Sequence, residues 1–283
     1  MILVTGAAGQ LGQALQHALA GRAVVYKTSA ELDITDAEAC RRLVAEQGIS
    51  LILNAAAYTK VDKAESEHDL AFAVNREGAL NLARAAQETG AKVVHISTDY
   101  VFDGSLERPY VETDLPNPQT VYGRSKLAGE DAVLEHAPAA VVLRTGWVYS
   151  AYGNNFMKTM LRLGAERESL GVVDDQTGTP TLADSLARDM VRIGDELVAR
   201  GEMRELFHYA GEGETTWCGF ARAIMRQAGL ACEVTAITTT DYPTDAVRPV
   251  YSVLDKTKVK SHFGLQINDW RDDLTSCLTA LTT

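Results

Sequence analysis

Through the first half of this 283-residue chain, short apolar runs alternate with amphipathic stretches of helical period. The strand-like runs are Ile2–Thr5, Ala23–Tyr26, Leu51–Ala55, Lys92–Ser97 and Ala139–Thr145. Helical patterns cover Gln10–Ala20, Ala37–Gln47, Arg76–Thr89 and Ser125–His136 between them. Strands this apolar have no polar face to turn to water, so helices must cover both sides of the sheet. Strand–helix alternation feeds right-handed crossovers between parallel strands. The expected architecture is α/β, a doubly wound parallel sheet.

After Trp147 the rhythm loosens. Phe156–Arg167 and Thr181–Arg200 read as helices, the second opened by a Thr181-x-x-Asp184 capping pattern. Phe207–Ala210 reads as a strand, Thr216–Ala228 as a helix, and Thr238–Val253, rich in Thr, Asp and Pro, as loop. Composition sets limits on function. A net charge of -11 argues against a nucleic-acid-coating protein, which needs a basic face. The four cysteines, Cys40, Cys218, Cys232 and Cys277, show neither metal-ligand nor redox spacing. No apolar run is long enough to cross a bilayer, and Met1–Val4 enters the first strand without a charged leader. A cytoplasmic protein with no membrane partner is expected.

Gly6-Ala7-Ala8-Gly9-Gln10-Leu11-Gly12 joins the first strand to the first helix. Glycines there allow a tight turn, let the backbone approach a pyrophosphate, and let the helix pack closely on the strand. The helix N-terminus offers free N–H groups and positive dipole to phosphates. In this strand–turn–helix setting the motif marks a Rossmann-type dinucleotide site, with Gly6, Gly9, Gln10, Leu11 and Gly12 on the cofactor. The second strand ends in Lys27-Thr28-Ser29, where a carboxylate would otherwise select an unphosphorylated ribose. Either these residues meet a 2′-phosphate or they are ordinary loop. The expected cofactor is NADPH or NADH, with NADPH serving at least as well. Asp33 and Ile34 are placed to flank an adenine ring, unless Asp33 belongs to a helix cap before Asp36. Residues 1–147 are thus expected to form a dinucleotide-binding domain, to which the chain returns around 181–210. Residues 148–283 are expected to form mainly a smaller substrate lobe.

Ser97-Thr98-Asp99 closes a central strand, and Tyr122-Gly-Arg-Ser-Lys126 opens a helix. A spacing of four places Tyr122 and Lys126 on one helix face. An ammonium beside a phenol lowers the phenol's pKa and favours proton exchange with a substrate oxygen. Thr98 can hold the same oxygen. Tyr122, Lys126 and Thr98 are the expected catalytic set.

These residues resemble the extended short-chain dehydrogenase/reductase family, and within it the dTDP-4-dehydrorhamnose reductases. The motifs run nearly the whole chain: Asn54-Ala-Ala-Ala57-Tyr-Thr-Lys-Val-Asp62-Lys63-Ala-Glu65, Ser97-Thr-Asp-Tyr-Val-Phe102-Asp-Gly104, Val121-Tyr122-Gly-Arg-Ser-Lys126-Leu-Ala-Gly-Glu130, Arg144-Thr-Gly-Trp147-Val-Tyr149, Gly153-Asn-Asn-Phe156, Asp175-Gln-Thr-Gly-Thr-Pro-Thr181 and Arg248-Pro249. The resemblance implies NAD(P)H-dependent reduction of the C4 ketone of a nucleotide sugar. Tyr122 would give the proton, Lys126 would bind the nicotinamide ribose, and Thr98 would polarise the carbonyl. Asp99 and Trp147 would contact the sugar, and Asn155 and Arg248 the sugar or nucleotide phosphate. Ala55 and Ala56 join the cofactor set. Asn75 either supports the cofactor site or caps a helix. Some members hold magnesium through glutamates at a dimer interface; the corresponding positions here are Ala14, Asp184 and Ala280. With two of the three carboxylates missing, no metal is expected, and the protein is expected to be a monomer or a homodimer not bridged by metal. Competing readings are an epimerase or dehydratase of the same family and a non-catalytic regulatory subunit like that of methionine adenosyltransferase. Dehydratases carry Asp-Glu after the strand-end threonine; here Thr98 is followed by Asp99-Tyr100.

Overall fold

The structure is a computed structural model and describes residues 1–282. The first half runs β1 (Ile2–Thr5), α1 (Gln10–Ala18), β2 (Val24–Lys27), α2 (Ala37–Glu46), β3 (Leu51–Asn54), α3 (Val61–Ala64), α4 (His68–Phe72), α5 (Ala79–Thr89), β4 (Lys92–Thr98), α6 (Val121–His136) and β5 (Ala140–Thr145). The second half runs β6 (Val148–Tyr149), α7 (Phe156–Glu166), β7 (Ser169–Val173), β8 (Thr177–Gly178), β9 (Thr181–Leu182), α8 (Ala183–Arg200), β10 (Arg204–His208), β11 (Thr215–Thr216), α9 (Trp217–Ala228), β12 (Glu233–Ile237), α10 (Thr257–Phe263) and α11 (Trp270–Thr282). Among the described residues, no helix is long and apolar enough to cross a membrane.

Six of the described strands form the central sheet in the order β2-β1-β3-β4-β5-β10, and every pairing in it is parallel. The doubly wound expectation holds, and the period-2 alternation explains why. Val4, Leu53, Val94, Val141 and Leu143 face one side, against Leu15 of α1 and Leu186, Met190 and Ile193 of α8. Leu3, Ile52, Val93 and Val142 face the other, against Val44 of α2, Leu82 of α5 and Val133 of α6. Each such side chain, once fully buried, contributes on the order of 1.5–3 kcal/mol relative to exposure. Beyond the sheet, β7 pairs with β12, and Tyr149, Met157, Leu170, Phe220, Ile224 and Trp270 form a further core with α7, α9 and α11.

The strand order reverses between β1 and β3. In open α/β sheets the crevice outside the strand C-termini at this point is where ligands bind. Register brings Thr5 beside Asn54, Asn54 beside His95, and Thr98 beside Thr145 at that edge.

Two local expectations need correction. Thr181 does not cap α8: Thr181–Leu182 pairs with Val148–Tyr149 as strand, so the helix starts at Ala183 without a capping side chain. Sheet pairing keeps Thr181 extended, and its hydroxyl turns to the Thr179 carbonyl at 3.4 Å. Asn75 is not a helix cap either. It lies inside a π-helical turn, Ala73–Gly78, that continues α4 into α5. Its buried amide instead grips the backbone of Tyr58, accepting from N–H at 2.8 Å and donating to C=O at 3.1 Å, and donates to the Ser125 hydroxyl at 2.9 Å.

Candidate active site

The glycine turn forms as its sequence requires. Gly6 has φ 67°, and a Cβ there would lie 2.6 Å from the Ala55 carbonyl oxygen. At Gly12 a Cβ would lie 2.2 Å from the Gly6 carbonyl oxygen, so this glycine lets helix pack on turn. Gly9 precedes α1; among the described residues no side chain caps the helix, and its first turn contains no acid. Its leading N–H groups and positive dipole end are therefore available to an anion. These features fit a dinucleotide's pyrophosphate.

A single cleft of about 690 Å³ opens from this turn. Gly6, Gly9, Gln10, Leu11, Asp33, Ile34, Ala55 and Ala56 line it, together with Thr98, Asp99, Tyr122, Lys126 and Trp147. Ser29 lines it too, and a carboxylate lies close by after all: Glu31 accepts from the Thr28 N–H at 2.9 Å and its hydroxyl at 2.8 Å. Asp33 accepts from the Thr35 N–H and hydroxyl at 2.9 and 2.8 Å, while Asp36 caps α2.

Thr120 caps α6 through Gly123 N–H at 2.9 Å, which starts the helix four residues before Ser125 and puts Tyr122 in its first turn. Tyr122 and Thr98, at the end of β4, line the same cleft, and the Tyr100 ring meets Tyr122 edge-on at 5.6 Å. Burial pushes the phenol well above its ordinary range, with the Thr98 hydroxyl opposing. This corrects the expectation that Lys126 lowers it. Lys126 shares the helix face, but its long side chain runs down to the sheet and donates to the Ile96 carbonyl at 2.6 Å. Burial pulls its ammonium down to about 8, with Glu130 opposing. Nζ lies 3.4 Å from His95 Nε2. Behind it, Asn54 Oδ1 accepts from the Thr5 hydroxyl at 2.7 Å and Ala56 N–H at 3.2 Å, so its amide nitrogen donates to His95 Nδ1 at 2.8 Å.

Below the cleft lies a buried ion pair. Arg144 of β5 and Glu130 of α6 are 4% and 2% exposed and meet in a two-pronged contact, 2.7 Å at the shorter prong. The Ser97 hydroxyl also donates to Glu130. Three elements are thereby locked directly beneath Thr98.

Asp99 borders the cleft but is almost enclosed, with Oδ2 against Gly146 and lacking a hydrogen-bond partner among the described residues. Burial pushes its carboxyl up to about 6, against hydrogen bonds from Ser252 and Thr98. A folded-state pKa above the unfolded one favours the protonated, low-pH form. Stability is lost as pH rises from the unfolded value through about 6, and the full cost applies above it. Asp99→Asn is therefore expected to stabilise the protein by about 1–3 kcal/mol at about pH 8 and to lose that advantage near pH 4. Melting curves at both pH values check this; a gain of equal size at both would contradict it.

Trp147 lines the cleft and stacks on Trp217, ring centroids 3.5 Å apart and planes 6° off parallel. On the far side of that stack a second cavity, about 600 Å³, is lined by Phe156, Arg167, Val173, Trp217, Tyr242 and Arg248, among others. Arg248 is thus placed in this second space, held by Asp62 at 2.8 Å and the Tyr100 hydroxyl at 3.1 Å. Asn155 lines neither space: it caps α7 and donates to Gln10 Oε1 at 2.9 Å.

The model of the RmlD substrate binding domain matches residues 1–283 of the chain. A dTDP-4-dehydrorhamnose reductase of Aggregatibacter actinomycetemcomitans is 43% identical over 281 residues, covering 95% of this chain and 95% of that protein. A solved dTDP-4-dehydrorhamnose reductase from Clostridium acetobutylicum superposes with a TM-score of 0.95 at 40% identity, covering 100% of this chain and 99% of that one. Another from Bacillus anthracis, in complex with NADP, gives a TM-score of 0.93 at 39% identity, covering 99% of this chain and 98% of that one.

Proposed function

The chain belongs to the family of the RmlD substrate binding domain, and from that premise we infer that it reduces the C4 ketone of dTDP-4-dehydro-L-rhamnose to dTDP-L-rhamnose with NADPH or NADH. The observation that carries this reading is the Thr98–Tyr122 hydroxyl pair opening onto the same cleft as the acid-free N-terminus of α1.

Gly6, Gly9, Gln10 and Leu11 would hold the pyrophosphate, with Gly12 letting the helix pack close behind them; Asp33 and Ile34 would hold the adenosine end, and Ala55 and Ala56 would line the approach to the nicotinamide. When bound, the reduced nicotinamide supplies the hydride that C4 receives. Tyr122 gives the proton to the C4 oxygen. Its burial keeps the phenol protonated at neutral pH, as a proton donor requires. The Thr98 hydroxyl, which donates to Asp99 Oδ1 at 3.1 Å, would turn that one donor onto the same oxygen and stabilise the negative charge that develops on it. Lys126 anchors the nicotinamide ribose. Its ammonium gives up a proton more readily than an ordinary lysine's, so it can return one to Tyr122 after turnover. Trp147 and Asp99 bound the sugar. The second cavity takes the nucleotide, with aromatic walls for the base and Arg248 and Arg167 for the diphosphate. In this reading residues 1–147, with the return around 181–210, hold the cofactor, and 148–283 mainly hold the sugar nucleotide. A cytoplasmic location belongs to the same reading. The test is consumption of reduced nicotinamide with dTDP-4-dehydrorhamnose and identification of the product by NMR. Absent turnover, or the C4 epimer as product, overturns it.

NADPH is expected to serve at least as well as NADH. Lys27 ends β2, Ser29 lines the cleft, and the nearby Glu31 carboxylate is turned back onto Thr28. A partly exposed charge contact adds only about 0–1 kcal/mol, so the ratio of kcat/KM values is modest. A tenfold or greater preference for NADH contradicts the assignment.

Activity is expected to need no divalent metal. Ala14 and Asp184 line one open groove with His17, Arg188 and Arg192. Among the described residues no three His, Cys, Asp or Glu side chains gather to hold a metal ion. Magnesium binds through carboxylates and water, and an alanine at Ala14 offers no ligand. Any homodimer then forms without a bridging ion. Dialysis against EDTA should leave turnover and light-scattering mass unchanged; a mass that falls on chelation and recovers with magnesium refutes this.

A further inference from the structure

Trp147 has φ 51°, and among the described residues no other non-glycine side chain sits at positive φ. A residue this bulky rarely holds the left-handed conformation unless its surroundings enforce it. Two contacts do so here. A Cβ at Gly178 would lie 2.5 Å from the Trp147 ring, so the indole rests on bare backbone there. Trp217 lies against the same indole, nearly parallel, with centroids 3.5 Å apart. Both supports come from one small framework. Thr177–Gly178 pairs with Thr215–Thr216, and Thr216 then caps α9 at Gly219 N–H, 2.9 Å away, just where Trp217 begins the helix. The Thr216 hydroxyl is also bonded to Asp174, and Phe156 braces the Trp217 ring at 4.6 Å.

The stacked pair divides two spaces. Trp147 lines the cleft that contains Tyr122 and not the second cavity; Trp217 lines the second cavity and not the cleft. A ligand with its sugar in one space and its nucleotide in the other must run past the edge of this partition.

We propose that Trp217 is a positioning residue for the reaction: its stack holds Trp147 in the left-handed conformation and thereby sets how far the sugar end advances toward Tyr122. The proposal rests on the reading of Trp147 as the wall against the sugar. Trp217 does not line the cofactor cleft, so its loss should leave the dinucleotide undisturbed; because it also lines the nucleotide's cavity, a misplaced sugar is read from kcat and a lost contact with the base from KM.

The chain has three tryptophans, Trp147, Trp217 and Trp270, so the stack has its own signature. Indoles in face-to-face contact couple their transitions, and a turn of one ring on the other within the stack gives an exciton couplet in circular dichroism. The wild type should show the couplet, and Trp217→Leu should lack it. In Trp217→Leu, NADPH affinity measured without sugar nucleotide should stay at the wild-type value. Its kcat for dTDP-4-dehydrorhamnose should fall about 10- to 100-fold, the scale of a misplaced substrate; a rise in KM at unchanged kcat would mean only a lost contact with the base and overturns the positioning role. Trp217→Phe keeps a flat ring in the stack and should recover most of that loss while still lacking the couplet. Trp147→Leu is the control for the underlying reading. A loss in Trp147→Leu but in neither Trp217 variant overturns the positioning role alone. Wild-type behaviour in Trp147→Leu overturns the reading of Trp147 as the wall. A wild type without a couplet, an equal fall in NADPH affinity, or a Trp217→Phe variant as impaired as Trp217→Leu also overturns the proposal.

Discussion

Replacing Tyr122 with phenylalanine is expected to lower kcat by about 10²- to 10⁴-fold, the usual contribution of a positioned proton donor. The ring remains, so its edge contact with Tyr100 and its place in the cluster with Val121 and Phe72 are kept, and only the hydroxyl facing the cleft is lost. The loss should therefore appear in kcat, with NADPH affinity close to wild type. Steady-state kinetics and cofactor titration separate the two. Turnover near the wild-type rate would show that another group protonates the C4 oxygen. The same burial that keeps the phenol protonated makes proton donation insensitive to pH across the neutral range. Any alkaline decline in rate should be assigned to Lys126 first, whose ammonium is pulled down to about 8.

Arg144→Leu is expected to cost about 3–5 kcal/mol of stability, the scale for stranding one member of a buried ion pair. Glu130 would be left 2% exposed, with the Ser97 hydroxyl as its remaining side-chain partner. Denaturant unfolding measures the change. A double variant, Arg144→Leu with Glu130→Leu, should recover much of the loss, since removing both charges also removes the uncompensated one. A single variant within about 1 kcal/mol of wild type would mean that the pair is solvated or dispensable. Because the pair ties β5, α6 and the end of β4 together beneath Thr98, the single variant should also lower activity at temperatures where it remains folded.

The strands and most helices were legible because each is a local pattern. Val93 and Val94, or Ile52 and Leu53, point to opposite sides whatever else the chain does, and both being apolar requires two covering layers. Gly6 and Gly12 were legible for a similar reason, since no side chain fits where their Cβ atoms would go. The resemblance placed Trp147 but gave no hint of Trp217, 70 residues further on in the numbering. Glu130 and Arg144 stood in the quoted motifs without a role, because nothing local says that a carboxylate on α6 will meet a guanidinium on β5.

Sequence by itself determined the doubly wound sheet, the glycine turn and the Tyr122-x-x-x-Lys126 helix face, all of which depend on spacing within a few residues and on which side chains water rejects. Tertiary structure alone decided the ionisation of that face. A spacing of four says that Tyr122 and Lys126 are neighbours, but not that Lys126 donates to the Ile96 carbonyl, nor that burial raises Tyr122 instead of the lysine lowering it. It likewise decided that Asn75 grips Tyr58 rather than capping a helix, and that Thr181 is held in a strand by Val148. The physical reason is common to all of these. Periodicity and sterics act between residues close in the chain, whereas desolvation and the choice of a buried hydrogen-bond partner depend on groups that only the completed fold brings together.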